Sequence, residues 1–269
     1  MGIYMRIYEI LDSENKISIG ILQYYEKERS YIIELQDYLD EWSAPLLFTS
    51  YVKKKIFTIP RDISFLWVKE RVIPSGRQNI ASILNTHKLK EYNEMEMLAI
   101  ANGRCSQDSL YIRKITKLPE YVEKRKQKNL VDCVIGENST VLCFFEDETV
   151  KKISLEHMVH IEGIDKVLRN KALFESGKVG TGGYSLTFND SIDIPSYVLY
   201  EAKENLPIRK SDFDLFVQKN VFDTTDICDI LECTRQNVAY MIKRQMILPI
   251  KEEVKGNLYL KGDVLRNRW

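Results

Sequence analysis

The sequence lacks what would place it in several large classes of protein. No apolar run approaches the ~18 residues of a membrane-spanning helix, so no membrane partner is expected. The opening stretch "MGIYMRIYEILDSENK" carries acids too early for a secretion signal, which points to a cytoplasmic chain. The five cysteines are scattered and form no Cys-x-x-Cys pair, and there are only three histidines. Neither a disulfide framework nor a zinc site fits that spacing, and reduced thiols suit the cytosol. Net charge is missing as well. The 39 basic residues balance 39 acidic ones, so attraction to an anionic polymer must come from a local imbalance.

Signatures of catalysis are absent too. No nucleophile–base pair, no spaced carboxylates and no metal cluster stands out, so no catalytic residue and no cofactor is expected, and the chain is read as a non-enzyme. The stretch "ESGKVGTGG" mimics a phosphate-binding loop only superficially. Ala172 stands where its first glycine belongs and Val179 follows the lysine, so a glycine-rich hairpin turn fits better. Glu156, His157 and His160 give an HxxH without a third ligand, the pattern of surface residues.

What is present is ordinary globular material: 44% apolar and 29% charged residues over 269 positions, enough to bury a core without staples. "MRIYEILD", "KISIGILQYY" and "RSYIIELQD" alternate with the period of strands. "YLDEWSAPLLFTSYVKKK", "DISFLWVKERVI", "RQNIASILNTHKL", "MEMLAIANG" and "SQDSLYIRKI" suit short helices, with Gly103 ending the fourth and Ser106 and Asp108 opening the fifth. "TKLPEYVEKRKQKN" has a proline and a cluster of bases and reads as a linker. "VDCVIGENSTVLCFFEDETVKKISL" returns to period two, with turns at Gly136 to Ser139 and Glu146 to Glu148. "EGIDKVLRNKALFES" is helical, and "GGYSLTFNDSIDIPSYVLYE" is a strand, a turn and an end piece. From Pro207 the pattern is helical again and closes on a hairpin. The expected fold class is α+β, multidomain: residues 1–118, a basic linker 119–129, a small α+β domain 130–206 and a C-terminal domain 207–269.

One triplet occurs twice, in "SGRQNIASIL" and in "CTRQNVAYMI". Arg and Gln or Asn are the side chains that read guanine and adenine edges. Only the second copy has the right setting. "TTDICDILE" is a helix that Thr224 or Thr225 can cap, and a short turn leads to "TRQNVAYMIKRQ", capped by Thr234. Val238, Met241 and Ile242 form the apolar stripe of that second helix, which leaves Arg235, Gln236, Asn237, Tyr240, Lys243 and Arg244 toward solvent. This is the order of a helix-turn-helix that reads DNA. Charge agrees: residues 234–269 hold eight bases against three acids, and residues 209–233 hold three against six. Arg235, Gln236, Asn237 and Tyr240 are therefore candidates for reading bases, and Thr234, Lys243, Arg244 and Lys255 for holding phosphates.

The line "TTDICDILECTRQNVAYMIKRQMILPIKEEVKGNLYLKGDVLR" resembles the winged helix-turn-helix of excisionase and MerR-type proteins. The resemblance implies two helices, a Leu248-Pro249 step, a hairpin wing over Lys251 to Tyr259 and a last helix over Lys261 to Arg266. Gln245 stands where that family has glycine, and Glu252 and Glu253 where it carries bases. The middle stretch resembles the small bacterial domain DUF2442 at Phe145, Asp147, Leu168, Phe174, Phe188, Asp193, Ile194, Leu199 and Tyr200. Glu148 replaces that family's glycine and Phe188 its tryptophan; the resemblance implies a fold and no chemistry. "WVKERVIPSGRQNIASILNTHKLKEYNEMEMLAIANGRCSQDSLYIRKI" resembles the segment that precedes the kinase in clostridial HipA-like and mobile-element proteins, at Arg71, Ile73, Pro74, Arg77, Leu89, Tyr92, Gly103, Arg104 and Asp108. The kinase's own motifs are absent. Arg71, Arg77, Arg104 and Asp108 are either an internal ion-pair network or a surface for an anionic partner.

The leading expectation is a non-enzymatic regulator of a mobile element or toxin–antitoxin-like locus, binding double-stranded DNA as a homodimer and also a protein partner. The alternative is a protein-interaction or inhibitor protein, such as an antitoxin or a blocker of a host defence nuclease like those of CRISPR systems.

Overall fold

A computed structural model of the protein describes residues 5–204, 206–254 and 256–268. The chain divides into two compact units, Met1–Val122 and Glu123–Trp269.

The first unit is built on an antiparallel five-stranded sheet. Its strands are β1 (Met5–Asp12), β2 (Ile17–Tyr25), β3 (Ser30–Leu35), β4 (Thr58–Ile59) and β5 (Leu110–Ile115), in the order β4-β3-β2-β1-β5. One face of this sheet packs Tyr8, Ile10, Leu22, Tyr24 and Ile33 against Trp67 and Val68 of a helix and Met95 and Leu98 of another. These helices are α2 (Arg61–Lys69) and α4 (Glu94–Ile100); α1 (Thr49–Lys53) and α3 (Ile80–Thr86) complete the set. Asn93 caps α4 by accepting from the amides of Met95 and Glu96.

Two expectations fail here. "SQDSLYIRKI" is not a helix: Leu110 to Ile115 pair with β1, Ile112 opposite Ile10. The stretch alternates only briefly, and β1 supplies the edge that decides its state. The expected linker is also structured, since it forms α5 (Glu120–Lys126) with Val122 fully buried. Pro119, a loop signal by itself, precedes the first turn of a helix, where the missing N–H costs nothing.

The second unit contains two apolar clusters. The first lies between two three-stranded antiparallel sheets and short helices. β6 (Leu130–Ile135), β7 (Thr140–Phe145) and β8 (Val150–Ser154) form one sheet; β9 (Lys178–Val179), β10 (Ser185–Phe188) and β11 (Ile192–Pro195) form the other. The stretch read as one helix is two, α6 (Ile164–Arg169) and α7 (Lys171–Glu175), because Asn170 leaves helical geometry and caps the second. α8 (Ser196–Glu201) closes this part. The glycine-rich turn is structural: Gly183 has φ +74°, and a Cβ there would overlap the Leu130 carbonyl.

The remainder comprises α9 (Lys210–Asn220), β12 (Val221–Phe222), α10 (Thr224–Leu231), α11 (Arg235–Lys243), β13 (Pro249–Val254), β14 (Gly256–Leu260) and α12 (Lys261–Arg266). The three strands order as β12-β14-β13. Ile227, Leu231, Val238, Ile247, Tyr259 and Val264 form its buried cluster, with Met241 and Ile242 against it.

Candidate nucleic-acid interface

Local chemistry fixes the geometry of α10 and α11. The cap of α10 is Asp223, one residue before the threonines named from sequence. Its carboxylate accepts from the amides of Thr225 (2.6 Å) and Asp226 (3.0 Å), and the Asp226 side chain accepts from the Asp223 amide (2.9 Å). This reciprocal box is tighter than one hydroxyl cap. The same amides hold the Asp223 carboxyl below its ordinary range. α10 ends at Glu232 in left-handed geometry, φ +50°. Thr234 caps α11 as expected, accepting from the Asn237 amide at 3.3 Å.

α11 lays Val238 into the cluster with Met241 and Ile242 beside it. At about 3.6 residues per turn, Gln236, Tyr240 and Lys243 then stack on the opposite face. Arg235 and Asn237 fall on its two flanks. The triplet that looks continuous in sequence is thus divided between a ridge and its borders. All of these side chains are exposed, as are Thr234 and Arg244. Arg235 donates to the Thr225 hydroxyl at 3.4 Å, a long contact between exposed groups. The Arg244 guanidinium lies 5.5 Å from the Tyr240 ring centroid, so these two share one border of the ridge.

The surplus of bases shrinks in three dimensions. Lys261 is paired to Asp132 at 2.9 Å, and Arg266 to Glu146 (3.3 Å) and Asp263 (3.0 Å), so both hold α12 rather than face a ligand. Lys255 lies outside the described residues. Arg235, Lys243, Arg244 and Lys251 remain exposed around α11 and the hairpin. Beside them, α10 exposes Asp223, Asp226 and Asp229. The exposed bases are therefore gathered on α11, with Lys251 on the strand after it beside Glu252 and Glu253 in sequence.

Sequence alone did not reveal what carries this module. Asp132 on β6 is buried and accepts from Asn220 Nδ2 at 2.7 Å as well as from Lys261. Asn220 also donates to the Cys133 carbonyl at 3.2 Å. Phe216 of α9 meets Phe144 of β7 at 4.9 Å, and Asp212 pairs with Lys152 at 2.8 Å. Gly262 fits because it has no side chain: a Cβ would stand 2.8 Å from Val131 Cγ1. No spacing rule links Asp132 to Lys261, 129 positions later; only the fold does.

The four candidates in the first unit separate. Arg71 is buried, donates to Asp108 and to the Trp67 carbonyl (3.2 Å), and stacks on the Trp67 ring at 4.0 Å. Burial lowers its pKa against the pull of Asp108. Asp108 also accepts from the Leu110 amide at 3.1 Å, so the pair joins the end of α2 to the start of β5. Arg104 lies over Tyr111 at 5.1 Å, and Arg77 is exposed without a side-chain partner among the described residues. Arg71 and Asp108 form an internal brace, and Arg77 takes no part in it.

In the middle part the residues of the DUF2442 resemblance meet one another. Tyr200 donates to Asp147 at 2.6 Å and sets its ring edge-on to Phe145 at 5.1 Å. Phe188 is fully buried beside Phe174, 6.3 Å between centroids. His157 faces Glu204 at 3.1 Å on the surface. Among the described residues no group of three His, Cys, Asp or Glu side chains is placed to hold a metal, and no helix is long and apolar enough to cross a membrane. No protein-family model, curated protein or solved structure matches the chain.

Proposed function

We propose that the protein is a DNA-binding regulator whose C-terminal part is a winged helix-turn-helix, with α11 as the reading helix and the β13–β14 hairpin as the wing. The observation that carries this reading is the face of α11: Gln236, Tyr240 and Lys243 on an exposed ridge, flanked by Arg235, Asn237 and Arg244, on a helix whose opposite side is buried. Amide and guanidinium donors at the start of an exposed second helix are what major-groove readout requires. Two further facts support it. Gln245, where the resembled family has glycine, has φ +57°, and Glu148, where DUF2442 has glycine, has φ +68°. Both departures fall on left-handed backbone, the conformation that glycine adopts most readily, as the two resemblances would require. The mobile-element or toxin–antitoxin-like setting is part of the proposal and rests on the resemblance carried by residues 67–115. Sequencing of duplex DNA selected from a random pool, with the full chain and with a chain lacking residues 209–269, tests the reading. One enriched motif, lost with the truncation, is expected; equal enrichment by both chains refutes it.

A second reading, that the first unit docks a protein, has its own observation. Trp42 is 88% exposed and Leu46 93%. Trp42 sits on a turn locked by Asp40, whose carboxylate accepts from the Trp42 amide (3.0 Å) and the Ser43 amide (2.8 Å), and Leu46 opens the short 3-10 helix after it. A rigid, exposed tryptophan is an anchor that loses little entropy on binding. Trp42→Ala should then remove a stoichiometric partner in co-purification while leaving DNA selection intact; retention of that partner would contradict it.

A further inference from the structure

α9 carries an apolar strip that stays partly exposed among the described residues. Its inner side is fixed by Asp212 to Lys152, Phe216 to Phe144 and Asn220 to Asp132. The flank of that side carries Phe213, 63% exposed, and Val217, 44% exposed, with Ile208 just before the helix at 51%. Helical spacing puts Phe213 and Val217 one turn apart on a single ridge. Beside that ridge lie Lys210 and Asp214, paired with each other at 2.6 Å and themselves exposed. One base and one acid thus border an apolar strip.

We infer that this face of α9 is a self-association surface whose occupant is the α9 of a second copy of the chain. The pattern is its own complement. One two-fold axis level with Phe213 sets Phe213 against Phe213 of the copy, Val217 against Ile208, and Asp214 against Lys210, each contact made twice. An isologous interface demands this self-matching. The placement also suits the proposed function, on which its biological meaning rests. α9 runs directly through β12 into α10, so two copies joined at α9 carry two reading helices in fixed symmetry, as a two-fold operator needs.

The size of the patch sets the expected strength. Three half-exposed side chains supply on the order of 300 Å² per copy, well below the ~800 Å² per partner of a stable interface. The free protein should therefore dimerise only in the range of roughly 10–300 μM, and DNA with two half-sites should complete the assembly.

Sedimentation equilibrium of the full chain without DNA tests the surface itself. Wild type should show a reversible monomer–dimer equilibrium. Phe213→Asp should weaken it at least ten-fold, and Lys210→Asp or Asp214→Lys alone at least three-fold. The double reversal, Lys210→Asp with Asp214→Lys, should recover wild-type association within two-fold. All three substituted side chains are exposed, and circular dichroism checks the fold of each variant; should Phe213→Asp not fold, the charge reversals decide. A wild type monomeric at 300 μM, Phe213→Asp dimerising as wild type does, or a double reversal that stays weak overturns the inference. Binding of a random-sequence duplex is measured separately: failure of wild type to bind it strikes the DNA reading and leaves the sedimentation result standing.

Discussion

Asp132 and Lys261 form an ion pair at 2.9 Å, with the aspartate side chain 3% exposed and the lysine side chain 22% exposed. The two ends of this pair differ in what they leave behind. Removing the lysine leaves a buried carboxylate held by Asn220 and the Cys133 amide with no cation to balance it; removing the charge on the aspartate leaves a lysine that can turn to water. Breaking a buried pair costs about 3 kcal/mol when the survivor stays buried. Lys261→Met is therefore expected to destabilise the second unit by about 3 kcal/mol and Asp132→Asn by about 1–2 kcal/mol, with the double variant less damaged than their sum. Urea unfolding followed by circular dichroism reads all three. Equal losses for the two single variants would contradict this asymmetry.

Gln245 and Glu148 hold left-handed backbone, φ +57° and +68°, that costs a side chain roughly 1–2 kcal/mol. Glycine removes that strain and gives back part of it through the freer unfolded chain. Gln245→Gly and Glu148→Gly should each stabilise by about 0.5–1 kcal/mol and raise the thermal midpoint by a few degrees. Gln245→Val should do the opposite. Calorimetry on the three variants checks the signs.

Acid should loosen the second unit through two carboxylates. Burial tends to raise both Asp212 and Asp147, and their partners outweigh it: Lys152 and the Arg209 amide for Asp212, Tyr200 and the Thr149 amide for Asp147. Both folded values lie below the ordinary 3.8. Each group then contributes stability that is complete above the unfolded value and is lost as pH falls through the folded one. Stability should stay level down to about pH 5 and fall below about pH 4. Asp212→Asn should flatten that acid limb; an unchanged slope would exclude Asp212 as a contributor.

Much of the architecture was legible because it is local. The strands β1 to β3 and β6 to β8, the turns at Asn138 and Glu148, the Thr234 cap and the stripe of Val238, Met241 and Ile242 all follow from neighbours in sequence. What escaped was non-local. β5 became a strand because β1 lies beside it, and α5 became a helix around a buried Val122. Asp132, Asn220 and Lys261 look like unrelated polar residues until β6, α9 and α12 bring them together. Helical periodicity could not show that α9 buries Phe216 and exposes Phe213, since both are apolar and three positions apart. On α11 the helix itself was legible, but not that Arg235, Gln236 and Asn237, consecutive in sequence, fall on different faces of it.

The proposed DNA-reading role of α11 is tested most directly by titrating the selected duplex and a scrambled duplex of equal length with wild type and with Arg235→Ala, Gln236→Ala combined. Each bidentate base contact is worth about 1–3 kcal/mol of discrimination. The double variant should lose at least ten-fold of its preference for the selected duplex, while binding of the scrambled one falls by a smaller factor and still strengthens as salt is lowered. Lys243→Ala should weaken both duplexes alike. Full retention of the preference by the Arg235→Ala, Gln236→Ala variant would contradict the assignment of α11 as the reading helix.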